Sequence, residues 1–172
     1  ASALPKGLSS GKKLSMQPAT SVDTETELIR PGLLAPPLVC MSYADENNEG
    51  LWGRQDTREF LVSLLQSKRL IIGHNIAYDL AVCAAEWPDL LPPIFRAYQD
   101  DRISDTLIRE KLIHIGLGQY RRYERYDGAW IKLEYSLEAI ALRRLKVQLI
   151  KGDWQLRFSE LKNVPVSDWP EA

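Results

Sequence analysis

The feature that most constrains this chain is a short unbroken apolar run, Leu70-Ile71-Ile72-Gly73, which follows the basic pair Lys68-Arg69. A strand with no polar alternation has no face to turn to water, so it belongs inside a sheet covered by helices on both sides. The flanking segments fit that demand. Ahead of the run, Phe60, Leu61, Leu64 and Leu65 recur at helical spacing, with Asp56 or Thr57 as the expected cap. Behind it, residues 75–87 repeat Ile76, Leu80 and Cys83 or Ala84 at the same spacing until Pro88.

Other strands are legible on both sides. Residues 19–26 and 38–44 are β-prone, joined by a connector containing Arg30-Pro31-Gly32 and Pro36-Pro37, and a short third strand is expected around Leu51-Trp52. The proline-rich stretch through Pro93 reads as a loop, residues 103–106 as a last short strand, and residues 107–115 as a helix closed by Gly116 and Gly118. Residues 119–132 lack a clear period and suggest a loop or extended hairpin. Residues 135–145 form a further expected helix, capped by Ser136, with Leu137, Ile140, Ala141 and Leu145 on one side. Together these predict an α/β domain with a mixed central sheet of about five strands flanked by helices. It spans residues 19–172, preceded by a flexible arm or linker over residues 1–18, which is rich in Ser, Gly, Lys and Pro.

With 172 residues, 45% of them hydrophobic, the chain can bury about 70% of its unfolded surface, so a metal is needed only for chemistry and not for folding. The two cysteines, Cys40 and Cys83, are far apart and form no Cys-x-x-Cys, which excludes a zinc ribbon and leaves them as expected buried thiols. No apolar run approaches the roughly 20 residues of a membrane span, and residues 1–14 lack the apolar core of a signal peptide. A cytoplasmic location is therefore expected. Overall charge is balanced, 22 Lys plus Arg against 23 Asp plus Glu. Residues 106–146 nevertheless hold nine basic side chains against five acids, interleaved with Tyr120, Tyr123, Tyr126 and Trp130. Such a segment could track a phosphate backbone and stack on bases, or could be a solvated basic face.

The chemistry-bearing candidates are acidic. Asp23 and Glu25 lie two apart near the end of the first strand and so share one face of it. Asp79 lies one turn into the helix after the buried strand, four residues past Asn75, which predicts that Asn75 and Asp79 share a helix face. Carboxylates without a histidine or cysteine pair at ligand spacing favour a hard divalent ion, Mg²⁺ or Mn²⁺, over zinc. Clusters of this kind commonly hold two ions for in-line phosphodiester displacement.

The order of the motifs is more specific than any one of them. Val22-Asp23-Thr24-Glu25-Thr26, then Gly73-His74-Asn75-Ile76-Ala77-Tyr78-Asp79-Leu80, then Ser104-Asp105-Thr106 resembles the DEDD family of 3′–5′ exonucleases on the ribonuclease H-like fold. Within that family the chain is most similar to the proofreading domain of family A DNA polymerases, with Tyr135-Ser136-Leu137-Glu138-Ala139-Ile140-Ala141 and Trp169-Pro170-Glu171 continuing the likeness. The resemblance implies that Asp23 bridges two metal ions, Glu25 completes the site of the ion that activates water, and Asp79 holds the second ion, directly or through water. It implies that Asn75 and Tyr78 contact the terminal nucleotide, and that Leu28 and Ile29 lie against the last bases. Thr24 and His74, next to these motif residues, are further candidates for substrate contact, with an ordinary hydrogen-bonded histidine the alternative for His74. Asp105 is expected to cap the following helix, and Trp154 and Trp169 to anchor packing. The implied partners are the single-stranded 3′ end of DNA and a polymerase domain of the same longer chain.

One part of the family pattern is missing. A fourth acid, in a Tyr-x-x-x-Asp or His-x-x-x-x-Asp motif, should follow the Trp-Pro-Glu stretch, yet this sequence stops at Ala172. Tyr123-Glu124-Arg125-Tyr126-Asp127 spells the pattern but precedes the matching helix. The expectation is a fragment of a longer polymerase, weak in metal binding and cleavage on its own. Two rivals stay open: a freestanding DEDD nuclease acting on RNA, and a non-catalytic binding or structural module of the same fold.

Overall fold

The computed structural model describes residues 17–120, 122–124, 127–149 and 157–169. Its centre is a mixed five-stranded sheet in the order β3-β2-β1-β4-β5. Three strands, β1 (Ala19–Thr26), β2 (Leu38–Asp45) and β3 (Glu49–Gly53), form an antiparallel meander. On the other edge of β1, β4 (Leu70–Gly73) and β5 (Ile103–Asp105) run parallel to it. This is the α/β, ribonuclease H-like arrangement of a five-stranded mixed sheet flanked by helices that the sequence predicts.

The principal core lies between one sheet face and three helices, α1 (Arg54–Gln66), α2 (Ile76–Glu86) and α3 (Leu91–Gln99). Val22, Met41 and Ile71 project from β1, β2 and β4 to meet Leu61, Leu64, Ile76, Leu80, Cys83, Ile94 and Ala97. Tyr43, Trp52 and Phe60 add an aromatic cluster where β2, β3 and α1 meet, with ring centroids 4.8–6.0 Å apart. Both cysteines are buried and free. Alternation along β1 turns Ser21, Asp23 and Glu25 to the opposite face, which is open over part of its area. Ile72 of β4 is only half-buried for the same reason, so this strand is covered fully on one face and not on both.

Local chemistry explains where the elements begin and end. Helix α1 starts at Arg54, two residues before the expected cap. Asp56 therefore sits within its first turn, and the Thr57 hydroxyl bonds back to the Gly53 and Trp52 carbonyls at 2.9 and 3.1 Å. The expected loop through Pro93 is instead a 3₁₀ turn (Pro88–Leu90) running into α3. Pro92 and Pro93 occupy the first turn of α3, where a missing N–H leaves no helical bond unmade, so they start the helix rather than break it.

Beyond β5, α4 (Thr106–Gly116) carries the expected Asp105 cap, whose carboxylate accepts from the Leu107 and Ile108 N–H groups. The expected hairpin is β6 (Arg122–Glu124) paired with β7 (Trp130–Lys132). In α5 (Leu137–Leu145) Ser136 caps as expected, but only Ala141 of the predicted apolar side is buried, and Leu145 is exposed. What joins α4 to α5 is polar: Glu110, buried, accepts from Arg143 and Arg144 at 2.9–3.1 Å. Burial alone would raise the Glu110 pKa, but these guanidinium bonds outweigh it and hold the carboxyl low.

Gly73 is fixed by packing. A Cβ there would stand 2.8 Å from Cβ of Ile76, in the first turn of α2. Gly73→Ala is predicted to destabilise the fold by about 1–3 kcal/mol through overpacking, seen as a lower denaturant midpoint at unchanged slope; an unaltered midpoint would show that α2 does not press on β4.

Candidate active site

The three parallel strands all end at the same edge of the sheet, which brings the three motifs together. Asp23 and Glu25 lie near the carboxyl end of β1, His74 and Asn75 directly follow β4, and Asp105 and Thr106 close β5. In open α/β sheets this edge, where neighbouring strands part, is the usual ligand-binding crevice. Here β1 turns back through a loop into β2, while β4 continues into α2. A register shift between Glu25 and Thr26 marks an irregularity in the β1–β2 ladder beside the acids.

Asp23 stands on the floor of a cleft of about 530 Å³ on the open sheet face, lined also by Ser42, Gly50, His74, Thr106 and Leu137. It keeps a solvent-exposed side, yet the surrounding protein displaces enough water to raise its pKa, an effect His74 opposes. Glu25 is half-buried and pushed up to about 7, first by desolvation and then by the charges of Asp23 and Asp79. Asp79 is buried and reaches about 6, because desolvation and Asp23 outweigh its hydrogen bonds with Thr24 and with its own backbone. No described Lys or Arg pairs with any of the three. The result is a partly desolvated cluster of carboxylates whose one described positive influence is His74, acting on Asp23.

Asp79 reaches this cluster from the edge of β1. Beyond Ser21 no β4 residue pairs with β1, and the Thr24 N–H on that edge donates to Oδ1 of Asp79 at 2.9 Å. The Thr24 hydroxyl donates to the same oxygen at 2.6 Å. Thr24, expected to contact substrate, is therefore buried with both its donors on Asp79. Asn75 and Asp79 do not share a helix face either. Helix α2 begins at Ile76, and Asn75 precedes it in the left-handed conformation (φ 64°), exposed, with its N–H bonded to Asp105 Oδ1 at 3.1 Å. Asparagine tolerates that conformation better than most residues do.

The remaining candidates surround the same edge. The Tyr78 hydroxyl lies 3.1 Å from Oγ1 of Thr26. Nδ1 of His74 lies 3.0 Å from the Thr106 hydroxyl, which itself donates to the Gly73 carbonyl at 3.1 Å. With its proton committed there, the Thr106 oxygen accepts from Nδ1–H, which leaves Nε2 of His74 as the ring's other polar atom. Leu28 and Ile29 are exposed, 56% and 73%, on the loop between β1 and β2, alongside Leu33 and Leu34. The clamp of Thr106 on His74 is not signalled by the sequence beyond its position directly after the capping Asp105.

Carboxylates suit Mg²⁺ or Mn²⁺ in kind, and an unpaired desolvated cluster gains from a cation. Among the described residues, however, no three His, Cys, Asp or Glu side chains are grouped closely enough to hold an ion. Ligation by Asp23, Glu25 and Asp79 together requires them to draw in. The alternative motif at Tyr123 and Asp127 is not helical: Tyr123 belongs to β6 and the Asp127 carboxylate accepts from the Ala129 N–H in the turn. Of the basic segment, Arg143 and Arg144 are engaged by Glu110, and Arg109 bonds Ser104. Arg121, Arg125 and Tyr126 lie outside the described residues, as does Trp154. Trp169 packs on Phe158 and donates to the Val164 carbonyl, as a packing anchor does.

No protein-family model matches the chain, and no curated protein matches it at a significant level. Among the described residues no helix is long and apolar enough to cross a membrane.

The raised pKa values have a thermodynamic sign. Folded Glu25 and Asp79 retain protons that the unfolded chain releases near pH 4–4.5, so their contribution to stability is full below that range and is lost as pH rises to about 7. In EDTA, the denaturation midpoint is predicted to fall between pH 5 and pH 7.5, and Glu25→Gln to flatten that fall. Parallel pH profiles for the two proteins would show that Glu25 is not under this strain.

Proposed function

We propose that this chain is a metal-dependent 3′–5′ exonuclease domain of the DEDD class, of the proofreading type found in family A DNA polymerases. One observation supports the reading: three partly desolvated carboxylates without a Lys or Arg partner among the described residues, Asp23, Glu25 and Asp79, lie near one another at the carboxyl edge of the parallel strands. Such a concentration of like charge is unfavourable for a fold and suits a site that recruits cations.

Each residue then has a task its position supports. Asp23 and Glu25 offer carboxylate oxygens from one face of β1, and Asp79 offers one from the strand edge. Bound among them, a pair of Mg²⁺ or Mn²⁺ ions would supply water activation and neutralise charge on the scissile phosphate. His74 points a ring into the cleft beside Asp23, where its Nε2 can meet a phosphate oxygen or a water. Exposed Asn75 and half-buried Tyr78 lie at the same edge as the acids, and in this reading they would contact the terminal nucleotide. Leu28 and Ile29 offer an apolar surface for the last bases of a single strand. The partner so described is a single-stranded DNA 3′ end, delivered by a polymerase domain of the same protein.

A second reading, a ribonuclease H-like binding module without catalysis, draws on the lack of a ready three-ligand group among the described residues. A 5′-labelled single-stranded oligonucleotide separates the two. With Mn²⁺ or Mg²⁺, the chain and a C-terminally extended form are tested side by side. Shortening from the 3′ end is predicted, greater in the extended form, abolished by EDTA and by Asp23→Ala. Folded proteins that retain the oligonucleotide without cutting it in either form would favour the binding module.

A further inference from the structure

Asp79 would be a poorly oriented ligand if nothing held it, since a carboxylate on a helix can rotate about both side-chain bonds. The local geometry removes that freedom. The β1–β4 ladder covers only Ala19–Ser21 against Leu70–Ile72, so past Ser21 the donors on this edge of β1 lack a strand partner. The Thr24 N–H is satisfied by Asp79 Oδ1 instead, at 2.9 Å, and the Thr24 hydroxyl adds a 2.6 Å bond to the same oxygen. Thr24 is 7% exposed and Asp79 3%. Among the described residues no other side chain bonds this carboxylate. Both Thr24 bonds fall on Oδ1, so the second oxygen, Oδ2, receives no side-chain donor among the described residues, and the carboxylate as a whole feels the charge of Asp23.

The residue type is informative. Position 24 faces the core in line with Thr20 and Val22, where valine has the same shape and no hydroxyl to bury. We propose that Thr24 is a positioning residue: its hydroxyl and backbone N–H pin Oδ1 of Asp79 so that Oδ2 is presented to a divalent cation. This inference rests on the metal-dependent reading above. It moves Thr24 from substrate contact to the support of a ligand, a role whose loss commonly lowers metal affinity by about 10–100-fold.

The test is Mn²⁺ affinity, measured by electron paramagnetic resonance on the full chain and on Thr24→Val, Thr24→Ser and Asp79→Asn, each shown to be folded by circular dichroism. Thr24→Val is predicted to bind Mn²⁺ roughly tenfold more weakly, approaching Asp79→Asn. Thr24→Ser, which keeps the donor, is predicted to stay within about threefold of the unaltered chain. A structural role alone would leave Mn²⁺ affinity intact in Thr24→Val while lowering its melting temperature, and that result overturns the proposal. Equal weakening in Thr24→Ser and Thr24→Val also overturns it, since the hydroxyl would then not be the cause. If Asp79→Asn itself binds like the unaltered chain, the assignment of Asp79 as a ligand fails and the role of Thr24 fails with it.

Discussion

Three carboxylates gather at the carboxyl end of β1, and among the described residues no Lys or Arg pairs with them. Partial desolvation raises all three pKa values, and the neighbouring carboxylates push Glu25 and Asp79 further, to about 7 and about 6. Each raised pKa is stability forgone at neutral pH, because the folded state must hold a charge it would rather protonate. The surrounding structure withstands this. A continuous core between the sheet and α1, α2 and α3 lies directly behind the acids, and β1, the strand that bears two of them, sits in the middle of the sheet.

The same core sets where the third acid stands. Gly73 allows Ile76 to approach closely, which seats the start of α2 against the end of β4. Asp105 then bonds the Asn75 N–H as well as the first N–H groups of α4, and Thr106 holds His74. Two consecutive residues at the end of β5 thus clamp the two residues that follow β4. Helix α2 leaves the sheet in one direction only, and Asp79, one turn along it, arrives where the ladder beside Thr24 has ended. The site is a consequence of strand ends, a close glycine contact and a shared aspartate, each a local matter.

Much of this was legible in the sequence, for physical reasons that differ by element. The unbroken run at Leu70–Gly73 and the β-prone segment Ala19–Thr26 gave strands with the observed bounds, since apolar continuity and β-branching report directly on sheet burial. The cap at Asp105 was visible because capping is a contact with the next few residues. Helix α3 was hidden, since Pro92-Pro93 signals a break everywhere except in a first turn. The clustering of the motifs could be expected from their order, but their bonding could not. Thr24 and Asp79 are 55 positions apart, and whether a threonine beside two acids faces substrate or core depends on the twist and termination of a neighbouring strand. The buried Glu110 with Arg143 and Arg144 was invisible for the same reason, and it withdraws two of the basic side chains that composition alone would assign to a phosphate backbone.

The central claim is that the negative cluster at the end of β1 exists to be filled by divalent cations. It is tested most directly by anomalous diffraction from crystals of the chain soaked in Mn²⁺. An anomalous peak is predicted within about 2.5 Å of an Asp23 carboxylate oxygen, with Glu25 or Asp79 drawn toward it. Saturating Mn²⁺ that gives no peak there, while the three carboxylates keep their metal-free positions, would contradict the claim.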